Sequence, residues 1–100
     1  MASDVTKRMA RNAQEQLIAA LAHLNQAIEA QSPVVTIPGG TFPVDQARTN
    51  SATNVRAWAS NFASTIGSKS CKAADVAAEQ IEAGNLDDAT RTLSHITIPL

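Results

Sequence analysis

Few residues of this chain have the types and spacing needed for acid–base or metal chemistry. Asp75, Glu79 and Glu82 recur at intervals of four and three, which places three carboxylates on one face of a helix. Such a row could bind a hard cation or supply an acid and a base. A solvated acidic face is the commoner role of this pattern, and Lys72 lies three residues before Asp75. We therefore predict no metal site, no cofactor and no catalytic residue here.

The other candidates for catalysis or ligand binding lack neighbours at useful spacing. His23 and His95 have no carboxylate or second histidine three or four residues away, so neither belongs to a helical two-ligand metal motif. No Gly-x-Ser-x-Gly elbow occurs, and Gly39-Gly40 lacks the Lys and Ser/Thr of a phosphate loop. The single cysteine cannot form a disulfide within these 100 residues. We predict that the protein is not an enzyme.

Size and composition predict one small helical domain with a thin interior. Of the 44% hydrophobic residues, nineteen are Ala, which favours helix but contributes little burial energy. We predict an all-α fold, a three- or four-helix bundle formed by residues 1–100 as a single domain. The predicted segments are a long helix at 1–31, a β-hairpin arm at 33–44, a helix at 45–66, a helical hairpin at 70–95 and an extended tail at 96–100.

The first helix is predicted from an apolar stripe at spacings of three and four. Its members are Val5, Met9, Ala13, Leu17, Leu21, Leu24 and Ile28. At 1.5 Å per residue this helix is about 40 Å long, against about 30 Å for a small domain. We therefore expect part of the stripe to extend beyond the core and to need a partner.

The hairpin arm is predicted from alternation of apolar and polar residues around a turn. Val35 and Ile37 flank Thr36, and Pro38-Gly39 suits the centre of a type II turn. Two strands alone are marginal in water. Residues 96–100 nearly repeat the first strand and its proline, so we predict that they form a third strand, contributed by the same chain or by a neighbour.

Three further features concern the later helices. Asp45, Ser70 and Asn85 are the predicted N-caps. Trp58 and Phe62, four residues apart, either belong to the core or anchor an interface. The first half of the second helix, residues 48–54, is polar and poor in strong helix formers, which predicts a frayed end or contact with something polar.

The charges are separated along the chain. Residues 46–74 carry four basic and no acidic residues, whereas residues 75–100 carry five acidic residues and one arginine. Either the second helix lies beside the last two so that the charges offset one another, or copies of the chain meet head to tail.

Together these patterns predict a non-enzymatic structural or assembly subunit that binds copies of itself or a larger protein assembly, for example as a virion component. The first helix, the hairpin arm and the C-terminal strand are the predicted contacts. The alternative is a small intracellular regulatory or adaptor module that contacts nucleic acid through Arg48–Arg56. No signal-peptide pattern or membrane-spanning run occurs, which predicts a location in the cytoplasm or in a virion assembled there. The predicted partner-binding residues are Val35, Ile37, Phe42, Val44, Ile96, Ile98 and Leu100.

Overall fold

The computed structural model describes residues 3–37 and 39–98. The elements in chain order are α1 (Asp4–Glu29), β1 (Val34–Ile37), β2 (Gly40–Pro43), α2 (Val44–Asn61), α3 (Ala63–Ile66), α4 (Ser68–Glu82) and α5 (Leu86–Ser94). The prediction of a mostly helical chain with a long first helix and one β-hairpin is confirmed. The molecule is elongated, measuring 44 × 22 × 17 Å. Its long dimension reflects α1, whose 26 residues span about 39 Å.

The long helix α1 begins at a serine cap and buries only the central part of its apolar stripe. Ser3 Oγ accepts a hydrogen bond from the Thr6 N–H at 3.2 Å. Leu21 and Leu24 are completely buried, as predicted, whereas Val5 and Met9 are 66% and 57% exposed. The expectation that α1 carries apolar residues beyond the core is therefore confirmed at its N-terminal end.

The hairpin packs one face against α1 and α2. β1 pairs antiparallel with β2, with Val35 opposite Phe42 and Ile37 opposite Gly40. Val35 and Ile37 are buried, because successive side chains alternate between the two faces of a strand. Gly39 has φ 106°, a backbone conformation that glycine adopts without the steric cost of a Cβ.

Helices α2, α4 and α5 pack closely because small residues face one another. Ala74, Ala77 and Ala78 of α4 are fully buried, and α4 lies between α2 and α5. The helix predicted at 45–66 is interrupted, since α2 ends at Asn61 and the short α3 follows Phe62.

The predicted side-chain caps of the later helices do not form. α2 begins at Val44, before Asp45, and α4 begins at Ser68, before Ser70. Asn85 occupies the N-cap position of α5, but its side chain makes no cap hydrogen bond. The N-cap positions of α2 and α4 are occupied instead by Pro43 and Gly67, neither of which has a side chain that can accept a cap hydrogen bond.

The predicted C-terminal strand is wrong for the residues that the structure describes, since 96–98 form no strand. Gln14 Nε2 donates to the carbonyl of Leu93 at 2.7 Å and to that of Ile96 at 2.9 Å. Ile96 and Ile98 are buried. Side-chain hydrogen bonds and apolar packing, rather than a β-ladder, therefore hold this segment. The last two residues of the predicted strand, Pro99 and Leu100, lie outside the described residues.

Candidate functional site

The predicted partner-binding residues lie in two separate places in the fold. Four of their side chains, those of Val35, Ile37, Ile96 and Ile98, are buried within the chain itself. Phe42 and Val44 are partly buried and pack against the core. Leu100 lies outside the described residues. A partner therefore meets mainly the backbone edges and the outer face of the hairpin.

The hydrogen-bond pattern of the hairpin identifies which backbone groups point outward. The Val44 N–H donates to the Pro33 carbonyl at 3.2 Å. Positions 33 and 44 therefore form a hydrogen-bonded pair of the ladder. Because hydrogen-bonded and non-hydrogen-bonded pairs alternate in an antiparallel ladder, the backbone groups at positions 35 and 37 of β1 also bond to β2. The backbone N–H and C=O groups of Val34 and Thr36 consequently face away from β2. This row is called the β1 edge below.

The outer face of the hairpin is polar at its centre. The hydroxyls of Thr36 and Thr41, which lie opposite each other, are 2.8 Å apart. The Ser32 hydroxyl donates to the Val34 carbonyl at 2.7 Å. The threonine pair links β1 to β2, whereas the Ser32 contact is local to the start of β1, and neither uses the outward N–H groups of β1.

The separated charges of the sequence meet between α2 and α4. Arg56 pairs with Glu82 and lies 3.8 Å from the carboxylate of Asp75. The hydrogen bond from Arg56 lowers the pKa of Glu82, and the same bond raises the pKa of Arg56. The arrangement with the second helix beside an acidic helix is therefore present within one chain.

The ion pairs of α2 involve the segment predicted to contact nucleic acid. Arg48 lies 3.6 Å from Asp45, so both ends of the segment Arg48–Arg56 are already opposite carboxylates. Nucleic-acid contact through this segment stays a prediction. Within residues 3–37 and 39–98, no three His, Cys, Asp or Glu side chains come together as a metal site.

A groove of about 280 Å³ lies between α1 and α2 and is closed at one side by β1. It is called the α1–α2 groove below. Its apolar walls are formed by Ala13, Leu17 and Ala20 of α1, Ile37 of β1, and Ala57, Trp58 and Phe62 of α2. Its polar residues are Gln16, Ser51, Asn54 and Asn61. The alanines leave the space open, because each has only a methyl group as its side chain.

Trp58 connects the groove to the core. Its indole N–H donates to the Ala10 carbonyl at 2.9 Å, and the residue is only 4% exposed. Of the two predicted roles for Trp58, the structure supports the core role, while Phe62 is partly buried beside it.

Ser51 is the unusual member of the groove wall. The residue is 3% exposed, and its hydroxyl has no hydrogen-bond partner within the described parts of the chain. Other helical hydroxyls do find one: those of Thr49, Thr90 and Ser94 each donate to the carbonyl four residues earlier. A buried hydroxyl without a partner is destabilising and is therefore uncommon.

Sequence reasoning did not identify the α1–α2 groove. The available signal was the polar first half of α2, which predicted contact with something polar and contains Ser51 and Asn54. The residues from α1 and β1 gave no such signal, since Ala13 and Leu17 lie in an ordinary apolar stripe.

In comparisons with known proteins, no protein-family model, curated protein or solved structure matches this chain. None of the helices described between residues 3 and 98 combines the length and the apolar character needed to cross a membrane.

Proposed function

We propose that this chain is a non-enzymatic assembly subunit whose copies associate through the β1 edge. The observation that carries the proposal is this edge itself. No backbone N–H or C=O of the described residues pairs with the outward N–H groups of Val34 and Thr36. An exposed row of this kind is a ready template for addition of another strand.

The two edges of the hairpin differ in their capacity to pair. Pro43 occupies an outward position of β2 and has no N–H to donate. On β1, both outward N–H groups keep their capacity to donate, and of the two outward carbonyls only that of Val34 already accepts a hydrogen bond within the described residues, from the Ser32 hydroxyl. Strand addition is therefore favoured at β1 and disfavoured at β2.

A second copy of the same strand fits the β1 edge by symmetry. When two β1 strands meet antiparallel about a twofold axis at Val35, Val34 of each copy lies opposite Thr36 of the other. Both outward residues of each copy then exchange hydrogen bonds, and two hairpins form one four-stranded sheet. Sheets of three or more strands are considerably more stable than an isolated hairpin.

The strand contact needs a second surface, because β1 has only four residues. Stable protein interfaces bury about 1,200–2,000 Å² in total. The exposed apolar end of α1, formed by Val5 and Met9, is the second contact that we propose for a copy or a larger assembly. It continues the stripe whose central part already packs in the core.

The experiment compares Thr36→Pro with Thr41→Pro by sedimentation over a range of protein concentrations. Both substitutions remove the same threonine pair and an outward N–H, but only Thr36→Pro alters the β1 edge. We expect the wild type and Thr41→Pro to self-associate and Thr36→Pro to remain monomeric. Equal association of both variants, or a monomeric wild type at high concentration, would contradict the proposal.

Amide hydrogen exchange provides a second readout that does not require a folded proline variant. In the wild type, we expect exchange at the N–H groups of Val34 and Thr36 to slow as the protein concentration rises. The N–H of Thr41 serves as the internal control and keeps a constant rate. Concentration-independent exchange at all three amides would argue against pairing at β1.

A further inference from the structure

We infer that the α1–α2 groove binds a small uncharged molecule that has an apolar ring and one hydroxyl or carbonyl oxygen. This inference goes beyond the proposed assembly role and depends on different residues. It follows from the shape of the groove and, within the described residues, from the absence of charged side chains in its walls and of a hydrogen-bond partner for the Ser51 hydroxyl.

The walls favour a flat apolar ligand. Leu17, Ile37 and Phe62 provide apolar surface, and the indole of Trp58 is held in place by its hydrogen bond to Ala10. Aromatic rings pack well on such surfaces in offset or edge-to-face arrangements. A fixed ring also loses little conformational freedom when a ligand packs against it.

The size of the groove favours a small ligand. Its volume of about 280 Å³ lies just below the range of roughly 300–1,000 Å³ that is usual for drug-sized ligands. Ala13, Ala20 and Ala57 create this space, since each presents only a methyl group. A single ring with one substituent is the scale of molecule that matches it.

The ligand should be uncharged. Across the described segments of the chain, no Lys, Arg, Asp, Glu or His side chain lines the groove. An ionised ligand would lose hydration on entering and would find no opposite charge in return. A neutral molecule avoids this cost.

Ser51 supplies the hydrogen bond that selects for an oxygen. Its hydroxyl can donate and accept, and the residue lines the groove. The binding of an oxygen atom there would satisfy the one buried side-chain atom left without a partner in the described residues. Asn54 and Asn61 also line the groove, but both are exposed and can hydrogen-bond to water, so the selection for an oxygen is assigned to Ser51.

Three probes of similar size test these features separately. Phenol has a ring and a hydroxyl, toluene has the ring without a hydrogen-bonding group, and benzoate has the ring with a charge. Each is titrated into the full chain while the indole N–H signal of Trp58, the single tryptophan, is followed by NMR. We expect phenol to bind about threefold to tenfold more tightly than toluene, the value of one net hydrogen bond. Benzoate should bind most weakly.

Ser51→Ala and Ser60→Ala form the matched pair of variants, since both serines lie on α2 and Ser60 is exposed. Ser51→Ala should abolish the preference for phenol over toluene and leave toluene binding unchanged. Ser60→Ala should behave as the wild type. Filling the groove with Ala57→Leu should weaken both probes.

Several results would overturn the inference. Equal affinity for phenol and toluene in the wild type would show that Ser51 does not select an oxygen, as would a preference that survives Ser51→Ala. Tightest binding of benzoate would contradict the uncharged site. Probe binding that weakens as protein concentration rises would assign the groove to a second copy of the chain instead.

Discussion

Ser51→Ala removes the one buried hydroxyl of the described residues that lacks a hydrogen-bond partner, and we expect the substitution to stabilise the free protein. The side chain is 3% exposed, lies within α2, and contacts neither a donor nor an acceptor in the described residues. Most substitutions of buried residues destabilise a protein, so a gain in stability is a distinctive outcome.

The size of the gain has two parts. A buried hydroxyl without a hydrogen bond costs about 1–3 kcal/mol relative to its hydrated state. Alanine also has the higher helix propensity, by roughly 0.5 kcal/mol. The loss of one oxygen atom from packing offsets a small part of this sum. We therefore expect the free energy of unfolding to rise by about 1–3 kcal/mol, which for a domain of this size raises Tm by at least about 4 °C.

Urea unfolding followed by Trp58 fluorescence measures this change directly. The midpoint should move to higher urea without a change in slope, because the surface exposed on unfolding is nearly the same. Ser60→Ala is the control, since that serine lies on the same helix but is exposed. It should gain only the helix-propensity part, about 0.5 kcal/mol.

A refuting result is equally clear. If Ser51→Ala stabilises the protein no more than Ser60→Ala does, the hydroxyl of Ser51 has a partner in solution, such as an ordered water or the carbonyl four residues earlier. A destabilised Ser51→Ala variant would show that this partner contributes net stability. Either result removes the physical basis for a vacant hydrogen bond in the α1–α2 groove.

Two other contacts lead to predictions with their own controls. Gln14→Met removes the side-chain donor to the carbonyls of Leu93 and Ile96, although the Leu93 carbonyl keeps the Ile96 N–H. It should lower the free energy of unfolding by about 2 kcal/mol in urea denaturation, whereas exposed Gln26→Met should change it by less than about 0.5 kcal/mol. Arg56→Gln should raise the pKa of Glu82 towards its ordinary value in an NMR titration of the carboxyl group, and Arg91→Gln, with the same charge change, should not. Folding lowers the pKa of Glu82, so the Arg56–Glu82 pair stabilises the protein at pH values above the pKa that Glu82 has in the unfolded chain. This contribution is lost as the pH falls through the lower pKa of Glu82 in the folded protein. An unchanged pKa of Glu82 in Arg56→Gln would contradict the ion-pair assignment. Equal loss of stability in Gln14→Met and Gln26→Met would contradict the role given to Gln14.

Local sequence patterns predicted the elements that depend on neighbouring residues. The apolar stripe of α1 could be predicted because spacings of three and four place residues such as Leu17, Leu21 and Leu24 on one face of a helix. The hairpin could be predicted for a similar reason. The alternation of apolar and polar residues in 34–37 and the glycine at position 39 specify a strand and a turn within a few residues.

The C-terminal segment shows where local patterns are insufficient. Residues 96–98 have the same apolar–Thr–apolar pattern as residues 35–37, yet only the earlier segment forms a strand. The Ile96 carbonyl instead accepts a hydrogen bond from Gln14, 82 residues away in the sequence. Strand pairing requires a partner edge, and the fold provides this segment with a helix and a glutamine instead.

The sequence by itself determined the helical class, the long apolar stripe of α1 and the hairpin, because each depends on periodicity within one segment. Only the tertiary structure decided that Arg56 meets Glu82, that Ile96 packs beside Gln14, and that the Ser51 hydroxyl has no partner among the described residues. Those outcomes depend on the distances between side chains of different elements. Such distances follow from how the helices pack, and the spacing of residues along one helix or strand does not contain them.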